Sequence, residues 1–197
     1  MGLAMIGNNL SSSARVANEL RAEVYDRVRC PNTQEIVIAK VEAIFLATAR
    51  GEPRTPVESA TAVAGQGLLG DRYLGAPPTR YAAVCEVTLV EAEAVEGVRA
   101  TGRDFSAADT RRNIVTRGVD LNALVGQMFR IGNVVLRGVE RCDPCRRLQR
   151  FTYRGVMRDL ANRGGLRATI VEGGEIRVGD AVGPHPQRRS ATHPPPP

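Results

Sequence analysis

Apolar residues recur at every fourth position at Val16, Leu20, Val24 and Val28, with Arg and Glu between them. That spacing predicts a helix with one apolar face inside an N-terminal extension, residues 1–34. Such a face packs on the rest of the chain or on a partner subunit, because it lacks the bulky anchors of a membrane-surface helix. From Glu35 the texture turns to β. Ile36–Leu46 is rich in β-branched residues and predicts a long first strand that includes Lys40. Residues 50–59 predict a Gly/Pro loop, 65–75 (GQGLLGDRYLG) a glycine-rich loop, 82–90 a strand and 91–99 a short helix. A strand at 113–116, a turn at Arg117-Gly118 and a helical turn at 120–125 follow. Met128–Ile131 and Val134–Glu140 flank Gly132-Asn133 as a hairpin, and Leu166–Glu172 and Glu175–Val178 flank Gly173-Gly174 as a second. Between them, Cys145 opens a helix that runs to about Asn162. Many short strands, few helices and no βαβ rhythm predict a mainly β fold, a barrel or sandwich with peripheral helices, over 35–183. The proline-rich tail, 184–197, has nothing to bury and is expected to be disordered.

Composition narrows the function. No apolar run reaches the roughly 18 to 20 residues that span a bilayer. The start, MGLAMIGNNLSSS, has neither the basic nor the apolar part of a secretory signal, so a cytoplasmic location without membrane attachment is expected. The net charge of +6 is carried by arginine, Lys40 being the only lysine, which points to codon bias more than to a polyanionic partner. Aromatic residues are 4% of the chain and Trp is absent, so base-stacking platforms are poorly supplied and no nucleic acid is expected. Clustered arginines suit a small ligand bearing a phosphate. Both histidines, His185 and His193, lie in the tail, which removes Ser-His-Asp triads, Cys-His dyads and His-rich metal sites from the folded part.

The chemistry therefore falls to thiols and arginines. The cysteines are Cys30, Cys85, Cys142 and Cys145, expected as reduced thiols. Cys142 and Cys145 have C-x-x-C spacing without a second pair to complete a four-thiolate zinc site. In VERCDPCRRL, residues 139–148, Pro144 sets an extended entry and Cys145 stands at a helix start beside Arg146 and Arg147. Helix dipole and cations favour a thiolate there, the form that attacks electrophiles and binds soft metals. Two buried cysteines beside solvated arginines explain the spacing equally well. In TRRNIVT, residues 110–116, Arg111, Arg112 and Asn113 lead into a strand and suit bidentate phosphate recognition or plain surface solvation. Arg72, in GDRY, is a third basic candidate, with Asp71 holding the loop backbone through an Asx turn.

Read in order, GLLGDRY at 67–73, VTLVEAEAVE at 87–96, RRNIVTRGVDLNALVGQMFRIGNVVLRGVERCDPCRRL at 111–148 and GLRATIVEGGEIRVGD at 165–180 resemble the MOSC domain, the C-terminal part of molybdenum cofactor sulfurases. The resemblance spans Glu35 to Gly183 and implies a β-barrel. Tyr73 stands where many relatives have histidine, and Arg111-Arg112-Asn113 where others have G-E-N, which places the chain nearer the short, stand-alone bacterial type. The resemblance implies that Cys145 ligates molybdenum or carries sulfane sulfur. It further implies that Arg72, Arg111, Arg112 and Asn113 line the molybdopterin region, with Arg146 beside them and Lys40 as a candidate phosphate contact. The chain is too short for a pyridoxal-phosphate desulfurase domain.

Three readings follow. A small molybdoenzyme would reduce N-hydroxylated compounds with electrons from a separate protein, since the chain has no flavin or iron–sulfur motif. A carrier or sulfur-transfer module would hold a persulfide on Cys145, loaded by a cysteine desulfurase. A dithiol redox protein would cycle Cys142 and Cys145 through a disulfide.

Overall fold

The computed structural model describes residues 39–75 and 85–185. The N-terminal helix, Cys30 and the tail beyond His185 lie outside the described residues. The strands are β1 (Lys40–Leu46), β2 (Thr55–Val57), β3 (Ser59–Val63), β4 (Gly67–Leu68), β5 (Val87–Glu91), β6 (Ile114–Arg117), β7 (Met128–Ile131), β8 (Val134–Arg141), β9 (Leu166–Glu172), β10 (Gly174–Arg177) and β11 (Val182–Pro184). Among the described residues three α-helices join them: α1 (Ala92–Arg99), α2 (Arg146–Phe151) and α3 (Val156–Asp159).

The fold is mainly β, as the sequence predicts. Eight strands form one mixed sheet in the order β11-β7-β8-β9-β5-β6-β1-β2, and β10-β3-β4 form a second. The large sheet curls until its ends meet. The Val41 N–H donates to Asp180 O, and the Val182 N–H donates to Ala39 O, joining β1 to the approach to β11. Curling encloses one core that includes Ile44, Leu89, Ile114, Phe129, Leu136 and Leu166, all essentially inaccessible to solvent. The predicted hairpin forms as read: Ile131 pairs with Val134 across Gly132-Asn133, and Gly132 takes the positive φ that a two-residue turn needs.

Four expectations are corrected. The segment 50–59 is not all loop, because β2 pairs Thr55–Val57 with the end of β1, and Pro56 is tolerated on that edge. The predicted hairpin at 166–178 does not form. Both edges of β9 are already taken by β5 and β8, so the chain leaves at Gly173 and β10 pairs with β3 instead. Among the described residues one βαβ unit occurs: β5 and β6 run parallel, with α1 as their crossover. The helix predicted from Cys145 to Asn162 is broken into α2 and α3, because Thr152 leaves helical geometry and Gly155 sits at φ 111°.

The break matters for the site. A second apolar cluster, Val95, Val98, Phe105, Leu148, Val156 and Leu160, packs α1, α2 and α3 together outside the sheet. Leu148 is the buried residue of α2, and its burial is worth roughly 2 kcal/mol towards fixing that short helix. No helix among the described residues is long and apolar enough to cross a membrane.

Candidate functional site

The site begins with a buried carboxylate. Asp71, in the loop after β4, is 6% exposed and accepts four hydrogen bonds. Its Oδ1 takes the Tyr73 N–H at 3.1 Å, the Asx turn read from sequence. Its Oδ2 takes the Ala47 N–H at 3.2 Å, Arg54 Nη1 at 2.8 Å and Asn113 Nδ2 at 3.0 Å. One side chain thereby ties the end of β1, the loop before β2 and the start of β6.

Asn113 and Arg112 are tied into the fold by their side chains. The Asn113 amide donates to Phe45 O and Asp71 and accepts from the Thr88 hydroxyl at 2.8 Å. Arg112 Nε donates to Gly164 O at 2.8 Å and its Nη2 to Cys142 O at 2.6 Å. The Cys142 N–H in turn donates to Gly165 O at 2.7 Å. A Cβ on Gly164 would stand 2.5 Å from Cys142 O, so the Cys142–Cys145 loop lies directly on that glycine. Arg112 is thus a clamp on the cysteine loop and not an open cation.

Arg111, one residue earlier, turns the other way. It takes the left-handed conformation at φ 61°, uncommon for a residue with a side chain. Its guanidinium stacks 4.3 Å over the Phe151 ring at the end of α2 and donates to Glu52 O at 2.9 Å. Arg111 and Phe151 line a cavity of about 250 Å³ with Pro53, Arg54, Ala108 and Asp109.

Arg54 is the residue that sequence reasoning missed. Its side chain is 2% exposed and ion-paired to Asp71, and its Nη2 donates to the Arg111 carbonyl at 2.8 Å. Its Nε is buried and has no partner among the described residues, and the same holds for Arg72 Nη1. Enclosed N–H groups without an acceptor cost free energy until something accepts from them. Burial pulls the Arg54 guanidinium below its ordinary pKa, against Asp71 and together with Arg72 and Arg111. Burial, then Arg72 and Arg147, does the same to Arg111. Mutual repulsion among cations that stay charged marks a locus of strong positive potential.

Cys145 is exposed and occupies the N-cap position of α2 in extended geometry, with Arg146 and Arg147 in the first turn. Arg147 lies 5.8 Å from the Phe151 ring, so the helix that starts at the thiol ends on the arginine cluster. Cys142 is buried with its peptide groups occupied, which sets the two cysteines of the C-x-x-C in different environments. Burial, with Cys142 nearby, pushes the Cys85 thiol up to about 11.

Of the other predicted residues, Arg72 lies over the Tyr73 ring at 4.3 Å and donates to its hydroxyl at 3.1 Å. Arg146 is exposed beside Cys145. Lys40 is not brought to the cluster. It pairs with Arg117 at the far end of β1, roughly 23 Å along the strand from Ala47. No group of three or more His, Cys, Asp or Glu side chains that could hold a metal occurs among the described residues.

The MOSC domain model matches residues 77–183, more than half of the chain, and the protein belongs to the MOSC domain family. Three solved structures share the fold at 16% sequence identity. YuaD from Bacillus subtilis superposes with a TM-score of 0.63 over 73% of this chain and 93% of its own. YiiM from Geobacillus stearothermophilus gives 0.57 over 74% of each chain, and YiiM from Escherichia coli 0.54 over 73% and 68%. No curated protein sequence matches the chain.

Proposed function

We propose that this chain binds a molybdenum cofactor, with Cys145 as the one protein thiolate on the metal and Arg54, Arg72 and Arg111 around the pterin phosphate. The observation that carries the proposal is the arginine cluster itself: Arg54 and Arg111 line a cavity together with Phe151 of the Cys145 helix, and Arg72 stands close enough to repel both. A phosphate supplies the counter-charge that such a cluster attracts. Arg112 and Asn113, which the family resemblance puts at the cofactor, serve it indirectly: Arg112 holds the cysteine loop, and Asn113 holds Asp71, the partner of Arg54.

The bound metal would supply two-electron redox chemistry, and the reading we favour is reduction of N-hydroxylated compounds with electrons from a separate protein. In that reaction Cys145 holds the metal and the arginines fix the cofactor's position. A second reading, transfer of sulfane sulfur from a Cys145 persulfide, is favoured by the exposure of that thiol and requires a cysteine desulfurase partner. The dithiol reading is disfavoured by the burial of Cys142.

The test is the molybdenum and pterin content of protein from a cofactor-producing host, wild type beside Cys145→Ser. Near-stoichiometric metal in the wild type and its loss in the variant is the expected result. Pterin retained by both at equal metal content would favour the persulfide reading. Neither metal nor pterin in folded wild-type protein would overturn cofactor binding.

A further inference from the structure

The helical face that carries Cys145 is chemically unlike the rest of the molecule. Residues 141–163 hold seven arginines against two aspartates, with no lysine or glutamate, in a chain whose whole net charge is +6. Codon bias explains arginine in place of lysine but not its concentration in one segment. Arg146, Arg150, Arg154 and Arg158 are all exposed on or between α2 and α3. Among the described residues the first three have no hydrogen-bond or ion-pair partner, and Arg158 pairs with Asp159 while its side chain stays 82% exposed. Two large apolar side chains, Phe151 and Met157, stand exposed among them.

From these features we propose that the α2–α3 face is the docking surface for an acidic electron-carrier protein. Naming an electron carrier rests on the reductase reading above. Charge complementarity gives the sign of the partner: a focused patch of unpaired cations steers and orients an anionic surface. The composition gives its class. Arginine, aromatic residues and methionine are enriched in protein–protein interfaces, and glutamate is depleted, which is the pattern of this segment. A nucleic acid fits less well, because one face of the Phe151 ring is already covered by Arg111 and is not open to a stacking base. Position supplies the reason for the interface. Cys145 caps the same helix, about 7.5 Å of helix rise from Arg150. A carrier seated on this face would therefore lie against the candidate redox centre.

Docking can be read without any metal, by titrating the full chain against two acidic electron carriers, a [2Fe–2S] ferredoxin and a flavodoxin. Binding to at least one carrier is expected at about 20 mM salt and should weaken strongly at about 300 mM, where surface charges are screened. Arg150→Glu with Arg154→Glu should weaken it about tenfold or more, while Arg137→Glu with Arg177→Glu on the strands should change it by less than about twofold. Both double variants alter exposed side chains, and matching thermal melts will confirm that they fold. The proposal is overturned if neither carrier binds, or if the α2–α3 variant binds like the wild type. It is equally overturned if duplex DNA or anionic vesicles bind more tightly than either carrier and lose that affinity in the same variant. Because no cofactor is needed, failure here leaves molybdenum binding standing, and a cofactor-free protein that still binds a carrier would leave docking standing.

Discussion

Arg111 and Arg112 are adjacent and chemically identical, yet they belong to opposite kinds of region. Arg112 points into the floor under the cysteine loop, where its donors meet Cys142 O and Gly164 O. Arg111 points to the cavity, stacked on Phe151 near Arg54 and Arg72, whose buried donors are incompletely used. A guanidinium spent on backbone carbonyls under a loop holds structure; one that lines a cavity among other cations is placed for an anionic ligand. The contrast assigns the floor to scaffolding and the cavity to binding, and it can be attacked from either side.

The largest effect should come from Asp71, where the two regions are joined. Asp71→Ala leaves Arg54 as a buried charge without its carboxylate and strips acceptors from Ala47 and Asn113. A loss of about 3–5 kcal/mol in denaturant unfolding is expected. A loss below about 1 kcal/mol would mean that the Arg54–Asp71 pair is not the keystone described. Next comes the contrast between neighbours. Arg112→Met should cost roughly 2–3 kcal/mol, because two charge-assisted bonds to backbone carbonyls are lost. Arg111→Met should cost less than about 1 kcal/mol, as half-buried cation–π contacts do, and should lower pterin content instead. Equal stability losses in the two variants, with equal pterin content, would erase the division between floor and cavity.

Much of this was legible in the sequence and some was not. The Gly132-Asn133 hairpin and the short helix read at 91–99 follow from local pattern and turn chemistry; the hairpin formed as read and the helix over Ala92–Arg99. The partner of β10 is a non-local choice, fixed by which strand edges remain open, and no local pattern encodes it. The motif run that resembles the MOSC domain located the cysteine loop and the 111–113 segment, but not the direction each side chain takes. Arg111 and Arg112 diverge because Arg111 adopts a left-handed backbone, a strain that only the surrounding fold imposes. Arg54 gave no signal, since an arginine beside a proline in a loop reads as solvated. Its burial depends on Asp71, 17 residues on, and on a carbonyl 57 residues away.

The central claim is that Cys145 reaches the metal while the arginines hold the rest of the cofactor. Molybdenum-edge X-ray absorption on cofactor-loaded wild type and Cys145→Ser tests it most directly. The account predicts one fewer sulfur at thiolate distance from the metal in whatever molybdenum the variant retains. An unchanged sulfur count, at similar metal loading, would contradict it.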